Sequence, residues 1–446
     1  MRQPATSTDK PAARRRTGKV FVLTLILLSL ALALPAGASA AAGWFKQSSG
    51  TTTELDSVAF GDASHGWAIG NADGTAFILA TTNGGLSWTQ DSESNVTLNS
   101  VASSDANHAW AVGSTPNSWG GDDLAIFATA DGGASWGAQI LAGTTGELNA
   151  VTFLDATHGW AVGKGGAIAA TTDGGANWQL QTSGSGEDLY AVSFSDASHG
   201  CAVGNFGTIL ATTDGGLSWS LQSSGSSAYL MGVDFVDATH GWAVGYNYGV
   251  FGGVSDIVIA EASEILVTTN GGATWSPQNW GSGAWLYDVV FSSASHGWVV
   301  GNDQGGDGGG PILVTRNGGA TWTRQAVAAT SLYGLASSDA NHAWAVGRDG
   351  VVMATTDGGG ALPRLTKLTP TSGKRGTTVL ITGSGFGAKR GTSFVKFGVT
   401  KCAKYVSWST TRIKCKVPAK AKFGKVSVTV TTIVGKSNAK SFTVKR

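Results

Sequence analysis

Residues 189–225 read LYAVSFSDASHGCAVGNFGTILATTDGGLSWSLQSSG. Short apolar runs alternate here with Asp-Ala-Ser-His199-Gly, with a Gly-rich turn at 204–207, and with Thr-Thr-Asp214-Gly-Gly-Leu-Ser-Trp219-Ser-Leu-Gln. Runs of that length punctuated by Gly, Asp and Ser are strands joined by tight turns. The pattern recurs seven times. Every histidine of the chain, His65, His108, His158, His199, His240, His296 and His342, occupies one slot in it, at spacings of 43, 50, 41, 41, 56 and 46 residues. A second slot holds Asn83, Asp131, Asp173, Asp214, Asn270, Asn317 and Asp357, each followed by Gly-Gly, and the first six by Trp88, Trp136, Trp178, Trp219, Trp275 and Trp322 at the fifth position. Four short strands repeated at this period predict a β-propeller with one blade per repeat. Asp357 lacks the trailing Trp, and Gly43-Trp44-Phe45-Lys46-Gln47-Ser48-Ser49-Gly50 matches the missing piece. Residues 43–48 are therefore expected to supply the outer strand of blade seven and close the ring, which removes its open edges.

The Thr-x-Asp/Asn-Gly-Gly-x-x-Trp stretches resemble the Asp-box, or BNR repeat, of sialidase-like propellers. With Gly-Trp-Ala-Val-Gly before them, the units look most like the photosystem II stability/assembly factor-like family, over residues 43–359. The resemblance implies the fold and, at most, a role in assembling membrane or envelope complexes. The Asp-box has an architectural task of its own: its Asp or Asn accepts backbone N–H groups, Gly-Gly permits positive φ, and the Trp packs the hairpin. Seven His spread around a ring do not converge on a metal, and no cofactor is expected. Cys201 stands where the other blades have Trp67, Trp110, Trp160, Trp242, Trp298 and Trp344, and reads as a buried free thiol.

Charge divides the chain. Residues 1–40 carry six Lys+Arg and one acid, residues 41–361 five and 28, and residues 362–446 19 and none. So abrupt a reversal marks a domain boundary, and Gly358-Gly-Gly-Ala-Leu-Pro363 is the expected linker. At the N-terminus, Arg14, Arg15, Arg16 and Lys19 precede the apolar run 20–34, and Ala38-Ser-Ala40 follows. That order predicts a secretory signal peptide over 1–40, cleaved after Ala40, and a secreted or envelope-bound protein; a retained anchor is the alternative. Beyond residue 362, alternating strands such as Thr378-Val-Leu-Ile-Thr, with Leu368-Thr-Pro-Thr-Ser-Gly and Gly383-Ser-Gly-Phe-Gly387, resemble an IPT/TIG domain. The expected fold is all-β: a seven-bladed β-propeller with Asp-box repeats over 41–361, then an immunoglobulin-like β-sandwich over 362–446. Cys402 and Cys415, the two cysteines of the second domain, are expected to pair once exported.

Departures from the repeat locate the expected binding surface. Blades two, five and six lengthen the connection between their second and third strands, at 114–124, 246–264 and 302–311. Strand alternation puts these loops on the face opposite the Asp-boxes, and insertions gathered on one face of a repeat mark its binding side. Trp119, Tyr246, Tyr248 and Phe251, with Trp280 and Trp285 between blades five and six, lie outside the core slots, accompanied by Asp122, Asp123, Asp256, Asp303 and Asp307. Such a mixture suits stacking on sugar rings or gripping a basic peptide; it also suits loops packing onto their own blades. Only Arg316, Arg324 and Arg348 occur in the propeller, in neighbouring blades, so a sialidase arginine triad has no basis. No carboxylate pair stands out for glycoside hydrolysis. The expectation is a monomeric, non-enzymatic protein that binds a protein or glycan through its loops and an anionic envelope through its basic domain, with no specific nucleic-acid partner. An assembly factor and a glycoside hydrolase are the alternatives.

Overall fold

The computed structural model describes residues 43–117, 121–139, 141, 145–249, 259–281, 283–303, 310–325, 330–360, 363–386, 390, 393–432 and 435–446. The expected export segment, Trp119, Phe251, Asp256 and Asp307 lie outside the described residues. Seven antiparallel four-stranded sheets follow one another as blades, and two further sheets follow at the C-terminus. Blade 4 is typical: Leu189–Phe194, Gly200–Gly204, Ile209–Thr212 and Ser220–Gln222 pair in sequence order. Blade 7 takes Leu332–Ser337, His342–Gly347 and Val351–Thr356 from one end of the propeller and Phe45–Ser48 from the other. Phe45 lies opposite Ala354 and Ser48 opposite Val351, so the ring closes as the sequence predicted. The Gln47 side-chain amide then donates to the Gly84 carbonyl of blade 1 at 2.9 Å.

Each repeat slot has a visible task. In blade 4 the Thr212 hydroxyl donates to Asp214 at 2.8 Å, and Asp214 also accepts the Ser218 backbone N–H at 2.9 Å. The Ser218 hydroxyl and these groups hold the Asp214 carboxyl down at about 2, so the turn consumes the charge. The histidine slot serves the facing turn: in six blades His Nδ1 lies 2.8–3.0 Å from the Asp three residues earlier. Blade 6 has Ser293 in place of that Asp, and His296 is buried there, 3.3 Å from Arg316. Burial and the Arg316 charge push the His296 imidazole down to about 4, so it stays neutral.

Blades meet through aromatic rings. The second-strand Trp of one blade stacks on the first-strand Phe of the next: Trp110 on Phe153, Trp160 on Phe194, Trp242 on Phe291 and Trp344 on Phe60, with centroids 3.4–3.6 Å apart. The Asp-box Trp then meets the same Phe edge-on, as Trp178 does Phe153 at 5.9 Å. This packing explains the residue after each His. Phe60, Phe153, Phe194, Phe235 and Phe291 lie opposite Gly66, Gly159, Gly200, Gly241 and Gly297 across the strand pair. Blades 2 and 7 have Ser103 and Ser337 in the Phe slot, and there the residue is Ala109 or Ala343. A Cβ on Gly159 would lie 2.3 Å from the Phe153 ring, which Trp110 and Trp178 prevent from moving. Gly159→Ala should therefore lower propeller stability by about 1–3 kcal/mol, the usual cost of overpacking, whereas Ala109→Gly should cost at most about 1 kcal/mol. Chemical denaturation of the two variants checks the contrast; equal losses would refute it.

The C-terminal sheets run Arg364–Thr369, Thr378–Ser384, Arg412–Lys416, Tyr405–Trp408 in one, and Ser372–Lys374, Lys440–Lys445, Gly424–Thr432, Phe394–Phe397 and Thr400–Lys401 in the other, with Gly435–Lys436 against Gly424–Thr432. Val379, Ile381, Phe386, Phe397, Val428 and Phe442 form a shared core between them. The expected disulfide is not formed in the structure. Cys402 and Cys415 are buried free thiols in hydrogen-bond contact, and the Cys402 thiol donates to the Lys416 carbonyl at 3.0 Å. The hydrogen bond from the Cys415 thiol beside it lowers Cys402 below the ordinary thiol range, which favours its thiolate. Under oxidising conditions the pair should join, lose two hydrogens by mass, and add about 3 kcal/mol to the C-terminal transition, as for a loop of roughly 15 residues. Two alkylatable thiols after oxidation would refute this.

Candidate functional site

The innermost strands surround a cavity of about 430 Å³. One residue per blade at the start of the first strand lines it, and in blades 2–7 a β-bulge does the aiming. The register slips after Leu98, Leu148, Leu189, Leu230, Leu286 and Leu332, each time leaving the next residue outside the ladder. Bulges re-aim side chains in this way. The seven residues are Asp56, Asn99, Asn149, Tyr190, Met231, Tyr287 and Tyr333, and all line the cavity. The wall is consequently asymmetric. On the side of blades 1–3 the polar groups brace neighbouring blades, Asn99 donating to the Leu148 carbonyl and Asn149 to the Leu189 carbonyl, both at 2.8 Å. Asp56 accepts from Asn71 at 2.9 Å. On the side of blades 4–7 the bulge residues are aromatic apart from Met231.

That aromatic wall continues outward. Tyr333 lies 5.5 Å from Tyr287, Tyr287 5.9 Å from Tyr246, and Tyr246 5.5 Å from Trp285 and 6.1 Å from Tyr229. Tyr229 meets Phe206 at 5.6 Å, at the tip of the short connection in blade 4. Phe206 is 61% exposed and holds φ +52, a conformation that costs a bulky residue about 1–2 kcal/mol. Gly165 and Asp349 take the same left-handed position in blades 3 and 7. Carboxylates stand among these rings. Burial raises Asp56 to about 6, and the Glu54 charge adds to the rise. Burial likewise raises Asp288 to about 7, against hydrogen bonds from the Leu335 and Val289 N–H groups, with Asp234 contributing charge.

The loop residues expected to bind divide into three groups. Tyr246 and Trp285 belong to the arc, but on strands: Tyr246 in Gly241–Gly249 and Trp285 in Ala284–Ser293, the first strand of blade 6. The expected loops are largely hairpin extensions, so Asp122 and Asp123 start the strand Asp122–Thr129 and Asp303 ends His296–Asp303. Tyr248 pairs with Ala260 through its backbone. Trp280 does not join the arc; it packs on the core beside Trp242 and donates to the Ser263 carbonyl at 3.3 Å. Asp303 forms an ion pair with Arg324, and Asp123 accepts from Asn117 at 3.2 Å, so each is tied to its own blade. Tyr190, Tyr287, Tyr333, Tyr229 and Phe206 were missed. The residue after the repeated first-strand Leu was the available signal for the first three, since only a bulge frees that position from the strand's alternation.

Among the described residues no group of His, Cys, Asp and Glu is arranged to hold a metal. The three propeller arginines are apart in their tasks: Arg316 donates to the Gly358 carbonyl at 2.9 Å, Arg324 pairs with Asp303, and Arg348 begins the blade 7 turn.

The family described as photosynthesis system II assembly factor YCF48 matches residues 134–221 and 267–385, and the IPT/TIG domain matches residues 363–444. The chain joins YCF48-type repeats to an IPT/TIG domain. Its YCF48-type propeller superimposes on the structure titled YCF48 bound to D1 peptide with a TM-score of 0.55 at 19% identity, over 72% of this chain and 99% of the other. YCF48 from Cyanidioschyzon merolae aligns with a TM-score of 0.54 at 21% identity, over 70% of this chain and 98% of its own. A GH74 xyloglucanase from Xanthomonas campestris gives 0.51 at 13% identity, over 90% of this chain and 75% of its own. At these identities the likeness is one of fold. Cyclomaltodextrin glucanotransferase of Paenibacillus macerans is 43% identical over 79 residues, which are 17% of this chain and 11% of that enzyme. This chain therefore spans a small part of that relative's length.

Proposed function

We propose that this chain is a non-enzymatic binding protein, exported to the envelope or beyond, whose propeller holds an extended basic peptide segment of a partner protein across the channel mouth. The observation that carries the reading is the half-ring of aromatic side chains from Phe206 to Tyr333 beside Asp56 and Asp288. Aromatic faces receive the apolar parts and cationic heads of a peptide, and the carboxylates favour Lys or Arg. Similarity to a propeller solved with a D1 peptide supports peptide over glycan, and the family match supports a partner undergoing assembly in a membrane complex. The C-terminal domain supplies the tether, since 19 cations without an acid attract an anionic envelope surface. Co-sedimentation with isolated envelope should then weaken as salt rises.

The test is calorimetric titration of the mature chain with a ten-residue peptide alternating Arg with Leu or Tyr, its Glu counterpart, and a xyloglucan oligosaccharide. The Arg peptide should bind, the Glu peptide should not, and Tyr287→Ala with Tyr333→Ala should weaken binding roughly tenfold or more, the loss of about 1.4 kcal/mol. Binding should strengthen from pH 5 to 8, because Asp56 and Asp288 ionise over that interval. A preference for the oligosaccharide would replace peptide by glycan. Hydrolysis of it would revive the glycosidase alternative, which the commitment of Asp288 to two backbone N–H groups does not favour.

A further inference from the structure

Six of the seven blades bury an indole between themselves and the next blade, and in blade 4 Cys201 stands in its place. Where the pattern is complete, two groups of the following blade hold that indole. One is the Phe face already described. The other is the carbonyl of the first Asp-box glycine: Trp110 donates to Gly174, Trp160 to Gly215, Trp242 to Gly318 and Trp344 to Gly84, at 3.0–3.2 Å. Blade 5 keeps both groups. Phe235 is held edge-on by Trp275 at 5.9 Å, the arrangement of Phe153 with Trp178, and Gly271 occupies the carbonyl position.

Cysteine is much shorter than tryptophan, and the difference remains as space. A cavity of about 220 Å³ lies between blades 4 and 5 on the Asp-box face, lined by Phe235, Gly271, His199, Thr212 and their neighbours. An engineered apolar cavity of roughly 150 Å³ suffices for benzene. A second change accompanies the first. At the other complete junctions a Gln of the outer strand donates to the same glycine carbonyl: Gln139 to Gly174, Gln181 to Gly215 and Gln278 to Gly318. These three also accept the Asp-box Trp N–H, as Gln181 does from Trp219 at 3.1 Å, whereas Gln47, which donates to Gly84 in the same way, leaves Trp88 Nε1 without a partner. In blade 4, Gln222 turns instead to the Ser220 carbonyl at 3.2 Å, and Trp275 Nε1 is buried with no partner. Face, acceptor and volume for one indole are thus present together.

We infer that the cleft between blades 4 and 5 is a preformed binding slot for an indole ring, which stacks on Phe235 and donates its N–H to the Gly271 carbonyl. The ligand is free indole or the indole of a tryptophan residue. This inference is independent of the channel on the opposite face, and loss of either leaves the other standing.

Calorimetry and thermal unfolding of the mature chain with indole, 1-methylindole and N-acetyltryptophan amide test it. Indole should bind saturably and raise Tm. The 1-methyl compound, which lacks the N–H, should bind roughly fivefold more weakly, the worth of one hydrogen bond of about 1 kcal/mol. Cys201→Trp should raise Tm without ligand and abolish indole binding. Phe235→Leu removes the stacking face without closing the cavity and should weaken indole severalfold, which keeps the test decisive if Cys201→Trp does not fold. Binding of the amide as tight as indole assigns the slot to a tryptophan side chain, and indole alone to the free compound. No heat at millimolar indole, or equal binding by wild type and Cys201→Trp, overturns the proposal.

Discussion

Removing residues 43–48 should open the propeller and cost more stability than any single substitution in it. The segment supplies the whole fourth strand of blade 7, paired from Phe45–Ala354 to Ser48–Val351. It also carries Trp44, 7% exposed and packed against Trp298, Val351 and Met353. Loss of the tryptophan alone is worth about 3–5 kcal/mol, the range for large-to-small changes in a core. The deletion further strips the Gln47 bridge to blade 1 and leaves Val351–Thr356 as an unpaired edge, which other chains can extend. Thermal unfolding should show a sharply lower Tm, and size-exclusion chromatography should show association. Lys46→Ala, whose side chain is exposed, should leave both unchanged. A deletion variant that melts with the parent would mean that the ring holds without its clasp.

The second large effect is expected from Trp160→Ala, with Trp67→Ala as its comparison. Both indoles are buried at the same slot of their blades. Trp160 stacks on Phe194 at 3.6 Å and donates to the Gly215 carbonyl at 3.0 Å. Trp67 faces a blade whose Phe slot holds Ser103, and its N–H has no hydrogen-bond partner. Trp160→Ala should cost about 3–5 kcal/mol. Trp67→Ala should cost about 2 kcal/mol less, because roughly 1 kcal/mol of ring stacking and about 1 kcal/mol of hydrogen bond are not there to lose. Urea denaturation of both variants gives the difference directly. Equal losses would show that the stacked pair contributes nothing beyond buried area.

The closing strand was readable because Trp44-Phe-Lys-Gln47 repeats a pattern whose partner, Asp357-Gly-Gly, lacks it. The Asp-box was readable for a similar reason: Thr, Asp and Gly at fixed spacing satisfy a turn from within, so a local pattern carries a local structure. The candidate site was less legible. Tyr246 and Trp285 were found because they depart from the repeat, yet Tyr190, Tyr287 and Tyr333 look like ordinary strand residues until six register slips turn their position toward the axis. Trp280 is the converse case, an aromatic outside the repeat that packs on the core.

By itself the sequence determined the number of blades, the place of each turn, the clasp and the charge division between the domains. Each of these is written in residues near one another in the chain, or in a slot repeated so often that its exceptions stand out. Tertiary structure alone decided which aromatic rings meet across blades and why Gly or Ala follows each His. It alone decided that Cys201 leaves a cavity and that Cys402 and Cys415 meet as thiols. The contacts between blades depend on distances between residues that the chain separates by a whole blade, the Phe–Gly contacts and the thiol pair on which strands lie side by side, and side-chain volume acts only once the backbone has brought the partners within reach.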